Sequence, residues 1–246
     1  MVVLVIGAGT KGNVGYGIAE RFGKGGHTVL VNDINFDHKH FIRYHADVTD
    51  EEQVTKMMNE VATDWGRLDV IVNSAGVNIL GKLEDYSLEN FNKTIAVNLT
   101  SNYLLLQAYV KAFDNNGNKK AFLAITSDTG MIPKTSTFAY GASKAGANHF
   151  IRCAARELNK YHTDDWLVTA LAIGRVLTPM DRKTIEDLVA QRGVTEEEAE
   201  RMLSANIPLG RGRTVEEGAE WAYFVTTKGA YATGNVVRID AGQVQG

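Results

Sequence analysis

Val2-Val3-Leu4-Val5-Ile6 runs straight into Gly7-Ala8-Gly9-Thr10-Lys11-Gly12-Asn13-Val14-Gly15-Tyr16-Gly17, and this junction decides the fold. The first five residues are a β-branched strand signal closed by glycine. Residues 16–22 then carry helix-compatible spacing, and residues 28–31 are apolar again and end at Asn32-Asp33. A strand, a helix and a strand in so little chain predict a βαβ unit with a right-handed crossover and parallel strands. A parallel sheet is covered on both faces, which explains why these strands do not alternate polar with apolar residues.

The pattern continues outward from this unit. Strands are expected at residues 42–46, 69–73, 121–126, 166–173 and 235–239, and helices from Asp50, over 88–113, over 138–161 and from Thr214. Asp50 with Gln53, Thr195 with Glu198 and Thr214 with Glu217 have the spacing of capping boxes. No repeat, low-complexity linker or composition break divides the chain. The expectation is one α/β domain over 1–246, a Rossmann-type doubly wound parallel sheet of about seven strands with helices on both faces.

Composition narrows the function classes. The 246 residues hold 26 Lys and Arg against 29 Asp and Glu, so a net charge of −3 offers nothing to pull the chain onto nucleic acid. One cysteine, Cys153, forms no internal disulfide, which suits a reducing, cytoplasmic compartment. Cys153 itself is expected on the apolar side of its helix, in the core. No apolar run approaches the length of a membrane span, and residues 1–6 lack the marks of a signal peptide. His38 and His40 flank Lys39 without a third ligand in view; both are read as solvated, and no metal site is expected.

Three features carry chemistry. Glycines 7, 9 and 15 let backbone approach a pyrophosphate at a helix N-terminus, although such loops also serve as bare turns. Asp33, closing the second strand, can accept from ribose hydroxyls and would repel a 2′-phosphate, which favours NAD(H) over NADP(H); Lys11 in the loop points the other way. Tyr140 and Lys144 share one helix face, where an ammonium can draw a phenol toward the range useful for acid/base catalysis. By itself such a pair is also an ordinary surface feature.

Taken together, the loop, Asp33, Asp47-Val48, Asn73-Ser74-Ala75-Gly76, Asn98, Ser127, Tyr140-Gly141-Ala142-Ser143-Lys144 and the stretch from Gly174 to Met180 resemble the short-chain dehydrogenase/reductase family. The resemblance runs from residue 2 to Asp240-Ala241-Gly242. It implies that Tyr140 exchanges a proton with the oxygen of a secondary alcohol or ketone while hydride moves to or from nicotinamide C4. It also implies that Ser127 holds that oxygen, that Lys144 binds the nicotinamide ribose and lowers the Tyr140 pKa, and that Asn98 anchors a water beyond Lys144. Gly7, Gly9, Asn13, Val14, Gly15, Asp33, Asp47, Val48, Asn73, Ala75, Gly76, Gly174, Val176 and Thr178 would then line the cofactor together with Tyr140 and Lys144.

Three departures qualify the likeness. Eight steps separate Gly7 from Gly15 where the common loop has six, with Asn13 where the middle glycine would fall, and this longer loop is similar to that of enoyl reductases in the same superfamily. Those enzymes place their tyrosine seven residues before the lysine, which here is Thr137. Ile173 replaces the usual proline before Gly174, and Ser74 replaces the second asparagine of Asn-Asn-Ala-Gly. An alcohol/ketone enzyme is expected; an enoyl-type reductase and a non-catalytic dinucleotide-binding protein are the alternatives. A small alcohol or carbonyl substrate would meet Asn78, Thr129, Thr137, Arg175 and Met180, also Met131, under a lid over 180–206, with Arg175 suiting an anionic group. Apolar residues in excess of one sheet face, Leu104 to Leu106, Tyr109 and Phe113, predict a homotetramer or homodimer.

Overall fold

The structure is a computed structural model that describes residues 1–113, 119–162 and 165–244, with the side chains of Met180 and Gln191 outside the described set. Seven strands form one parallel sheet: β1 (Val2–Ile6), β2 (Thr28–Asp33), β3 (Ile42–His45), β4 (Val70–Asn73), β5 (Lys120–Ser127), β6 (Trp166–Ile173) and β7 (Val236–Ile239). Their spatial order is β3-β2-β1-β4-β5-β6-β7. The order reverses between β1 and β4, and that switch point opens a crevice outside the carboxyl ends of the strands.

Successive strand residues go to opposite faces, and both faces are covered. Leu4, Ile6, Ile71, Phe122 and Val168 pack in one core with Met57, Leu105 and Ile151. Val3, Val5, Val72, Leu123 and Leu171 pack in the other with Ile18, Phe22 and Ala222. Each such side chain contributes about 1.5–3 kcal/mol by leaving water, which is why the parallel strands read as continuous apolar runs.

The helices are α1 (Val14–Lys24), α2 (Glu51–Trp65), α3 (Leu88–Ile95), α4 (Ser101–Phe113), α5 (Phe138–Tyr161), α6 (Pro179–Arg192), α7 (Glu196–Ser204) and α8 (Val215–Lys228). Full capping boxes close the N-termini of α7 and α8. At α2 the box is incomplete: Asp50 caps the helix, but Gln53 Oε1 accepts from Asp47 N–H at 3.0 Å, so this glutamine braces the preceding turn.

The helix expected over 88–113 is interrupted. A π turn, Ala96–Thr100, separates α3 from α4, with the Ser101 N–H reaching back five residues to Ala96 O. The widened turn carries Asn98. Leu104, Leu105, Leu106, Tyr109 and Phe113, expected to face a partner, are all buried in the chain's own core, so they leave no apolar surface for one.

Two smaller expectations fail for packing reasons. Cys153 is exposed, because the buried stripe of α5 runs through Ala147, Ile151, Ala155 and Leu158 and leaves residue 153 on the far side. His38 is buried: its Nε2 donates to Ala8 O at 2.8 Å, and Tyr16, Phe36 and Phe41 stand edge-on around its ring. It props up the glycine loop. Among the described residues no helix is long and apolar enough to cross a membrane.

Candidate active site

The crevice at the switch point encloses about 790 Å³. Its lining includes Gly7, Asn13, Val14, Asp33, Asp47, Val48, Ala75, Gly76, Asn78, Ser127, Tyr140, Lys144, Gly174, Val176 and Thr178. The same wall holds Thr10, Lys93, Val97 and Ile173, of which the sequence reading had assigned none to a ligand. Thr10 lies in the glycine loop, Lys93 on α3, Val97 on the turn that follows α3 and Ile173 at the end of β6.

One end of the crevice is built from backbone. Gly7 has φ +73°, a left-handed conformation, and a Cβ there would lie 2.7 Å from Ala75 N. Gly9 is more constrained, since a Cβ would come within 1.9 Å of Asn35 O and 2.6 Å of Asp33 Cβ. Gly15 packs on the Gly7 carbonyl. Gly9 and Gly15 therefore shape the loop from behind and do not line the crevice. Asn13 works on both sides of the turn: its Oδ1 accepts from Tyr16 N–H at 2.7 Å to cap α1, and its Nδ2 donates to Gly7 O at 3.2 Å. The extra length relative to the common loop is thus pinned by one side chain.

Asp33 stands beside this loop. One carboxylate oxygen accepts from Gly9 N–H at 2.8 Å and the other from Ile34 N–H at 2.8 Å. Asp37 accepts from Lys11 N–H through both oxygens, at 3.0 and 3.2 Å, so two carboxylates hold this end while the exposed Lys11 is absent from the lining. Asp47 folds onto its own turn, accepting from Thr49 N–H and Oγ1 at 2.9 and 2.7 Å.

The other end is built from side chains. Ser127 closes β5, and Tyr140 and Lys144 project from the first two turns of α5. Ser127 Oγ donates to Asp128 Oδ1 at 3.0 Å, and its hydroxyl also acts on the Tyr140 phenol. Lys144 Nζ lies 5.7 Å from the Tyr140 ring centre and donates to Ile125 O at 3.0 Å. Burial pulls the Lys144 ammonium down to about 8. The phenol behaves contrary to expectation: burial holds Tyr140 above its ordinary value, the Ser127 hydrogen bond pulls it back in part, and the Asp128 charge pushes it further up.

Asn98 and Asn73 stand behind the crevice. Asn98 Oδ1 accepts from Val77 N–H at 2.9 Å, while its Nδ2 donates to Val77 O at 2.9 Å and to Ser143 Oγ at 3.0 Å. A Cβ on Gly76 would lie 3.4 Å from Asn98 Oδ1 and 3.5 Å from Lys144 Nζ, which places both head groups against the same stretch of backbone. Asn73 ties β4 to α4 through Ser101 Oγ and Asn102 Oδ1, at 3.1 and 2.9 Å.

Several residues expected at the substrate are engaged elsewhere. Thr129 donates its N–H to Ser127 Oγ at 3.2 Å from behind, and Thr137 Oγ1 donates to Lys134 O at 3.0 Å at the start of α5; neither lines the crevice. Arg175 is the clearest correction. Its five N–H groups go to both oxygens of Asp181 (2.7 and 2.8 Å), both oxygens of Glu200 (3.0 and 2.7 Å) and Ser204 Oγ (2.8 Å). No donor is left for an anionic substrate. Met180 opens α6, and its side chain lies outside the described set.

Comparison with known proteins agrees with this architecture. The family model described as enoyl-(acyl carrier protein) reductase matches residues 7–243. D-β-hydroxybutyrate dehydrogenase of Rhizobium meliloti (strain 1021) is 29% identical over 251 residues, covering 95% of each chain. A short-chain dehydrogenase/reductase of Armillaria gallica is 29% identical over 258 residues, 99% of this chain and 95% of its own. The solved structure of sorbitol-6-phosphate 2-dehydrogenase from Erwinia amylovora superposes with a TM-score of 0.89 at 26% identity, covering both chains completely. Sheet order, crevice and sequence likeness agree, and the chain belongs to the short-chain dehydrogenase/reductase family of oxidoreductases.

Proposed function

We propose that this protein transfers hydride between nicotinamide C4 of NAD(H) and a secondary alcohol or ketone, with Tyr140 as general acid/base. The observation that carries the reading is the convergence of Ser127, Tyr140 and Lys144 on one end of a crevice whose other end is the glycine loop. Members of the family bind NAD or NADP, and the chain's residues fit such a group: the Gly7 backbone on the crevice wall, a helix N-terminus behind it, and Asp33 on the same wall. When bound, the nicotinamide supplies or accepts the hydride.

The chain's own residues do the rest. Tyr140 gives its hydroxyl proton to the carbonyl oxygen in reduction and takes the alcohol proton in oxidation, with Ser127 beside the same oxygen. Lys144 holds the nicotinamide ribose, and Asn98 supports the Lys144 end through the Gly76-Val77 backbone. Gly174, Val176 and Thr178 hold the carboxamide side. Asn78, which lines the crevice, is the residue assigned to the substrate in this reading. Residues 180–206 form the lid, within a single domain over 1–246. A homotetramer in the cytoplasm completes the reading, supported by exposed Tyr103 on α4 and by Trp221 and Phe224 on α8.

NAD(H) is favoured because Asp33, with Asp37 nearby, sets negative charge where a 2′-phosphate would come. Side-by-side fluorescence titrations with NADH and NADPH test this, and tighter NADPH binding overturns it. Replacing Tyr140 with Phe is expected to lower ketone and alcohol turnover by about 10²-fold or more with NADH affinity kept, since it removes the proton-transferring group. Unchanged turnover would remove Tyr140 from the chemistry. The enoyl alternative rests on the long loop and the family model's description. It is tested by screening enoyl thioesters against keto compounds; turnover of the enoyl set alone would reverse the choice.

A further inference from the structure

Behind Ser127 lies a partly buried ion pair that the proposed chemistry leaves unused. Asp128 follows Ser127 in a one-turn 3₁₀ helix, Asp128–Gly130, and its side chain is 2% exposed. Oδ2 accepts from Lys134 Nζ at 2.7 Å, and Oδ1 accepts from Ser127 Oγ at 3.0 Å and from Thr129 Oγ1 at 3.3 Å. Lys134 is anchored by the loop leading into α5, where its carbonyl accepts from Thr137 Oγ1. Ser127 has one hydroxyl proton, which it gives to the Asp128 carboxylate, while its hydroxyl also pulls the Tyr140 phenol down in part.

We infer that the Asp128–Lys134 pair is a positioning unit that decides whether the Ser127 proton serves Asp128 or Tyr140, and so sets the pH range in which Tyr140 works. The inference rests on the acid/base role proposed for Tyr140. An ionised Asp128 draws the Ser127 proton away from Tyr140 and opposes a second negative charge on the phenol, and both effects favour the protonated phenol. Lys134 neutralises part of that charge and weakens both. The Asp128 influence on the phenol has the expected sign. The other charged groups facing this corner are Lys144 from α5, Lys93 from α3 and Arg213 from the segment before α8, whose guanidinium interacts with Asp128.

The pair predicts shifts of opposite sign. Asp128→Asn keeps an oxygen for Ser127 and removes the charge, so the Tyr140 phenol should ionise at lower pH. Lys134→Met leaves Asp128 uncompensated, so it should ionise at higher pH, with the two midpoints about one pH unit apart. The readout is an ultraviolet phenolate titration of the full chain, each protein compared with its own Tyr140→Phe counterpart to isolate that tyrosine among nine. The double variant Asp128→Asn/Lys134→Met should follow Asp128→Asn, and it covers the case in which an unpaired buried carboxylate prevents Lys134→Met from folding. An unmoved or raised midpoint in Asp128→Asn, or a lowered one in Lys134→Met, overturns the inference. The titration needs no turnover, so a failure of the dehydrogenase reading, seen as absent turnover in the unsubstituted protein, stays distinct from a failure of this one.

Discussion

Asp33 and Arg175 stand at the same edge of the sheet, one closing β2 and the other two residues past the end of β6, and they have opposite fates. Both carry charge at strand carboxyl ends, where ligands bind in open α/β sheets. Asp33 accepts two short hydrogen bonds from its own loop and still faces the crevice, because a carboxylate has about four acceptor sites to share. Arg175 spends all five donors on helices α6 and α7. A charged group at a strand end is open to a ligand only when its own chain does not saturate it.

The comparison breaks most readily at Asp33's side. Gly9→Ala would drive a Cβ into Asn35 O and the Asp33 side chain, and NADH affinity should fall by about 10²-fold, measured by fluorescence titration; an unaltered affinity would mean that the loop tolerates a shift there. On the other side, Arg175→Ala should cost about 2–4 kcal/mol in urea unfolding, because two largely enclosed carboxylates lose their partner. Arg175→Lys should recover little of this, since an ammonium cannot serve two carboxylates bidentately. If Arg175 were instead a substrate residue, stability would hold and only KM would rise.

Arg211 and Glu217 offer a milder copy of the Arg175 arrangement, bidentate at 2.8 and 2.6 Å but about half exposed. The Arg211 hydrogen bond, followed by the Thr214 N–H, holds Glu217 down to about 2 from an ordinary 4.5. The folded value lies below the unfolded one, so the stabilisation is complete above about pH 4.5 and is lost as pH falls toward 2. Glu217→Gln keeps the capping box and should cost under about 1 kcal/mol at pH 7, given the exposure. The gap from the unsubstituted chain should close as urea midpoints are followed down to pH 2; a gap that persists would show that packing, not charge, makes the difference.

Much of the site was legible because it is local. The glycine loop and the i, i+4 spacing of Tyr140 and Lys144 are set within a few residues of chain. Asn98 was found by resemblance, but not the π turn that carries it, since no simple periodicity marks a five-residue hydrogen bond. Asp128 and Lys134 were passed over because an Asp and a Lys six apart in a loop carry no signal until the turn brings them within 2.7 Å. Lys93 escaped for a similar reason: its neighbours defined the wall before it did.

The order of strands and helices and the parallel sheet followed from the sequence alone, because hydrophobic period, glycine placement and caps act over short range. Tertiary structure alone decided which polar groups are free. It buried His38 under the loop, turned Cys153 outward, folded the leucines of α4 into the chain's own core and gave every donor of Arg175 to α6 and α7. A side chain's partner is chosen by competition among groups distant in sequence, and that competition exists only once the fold has placed them side by side.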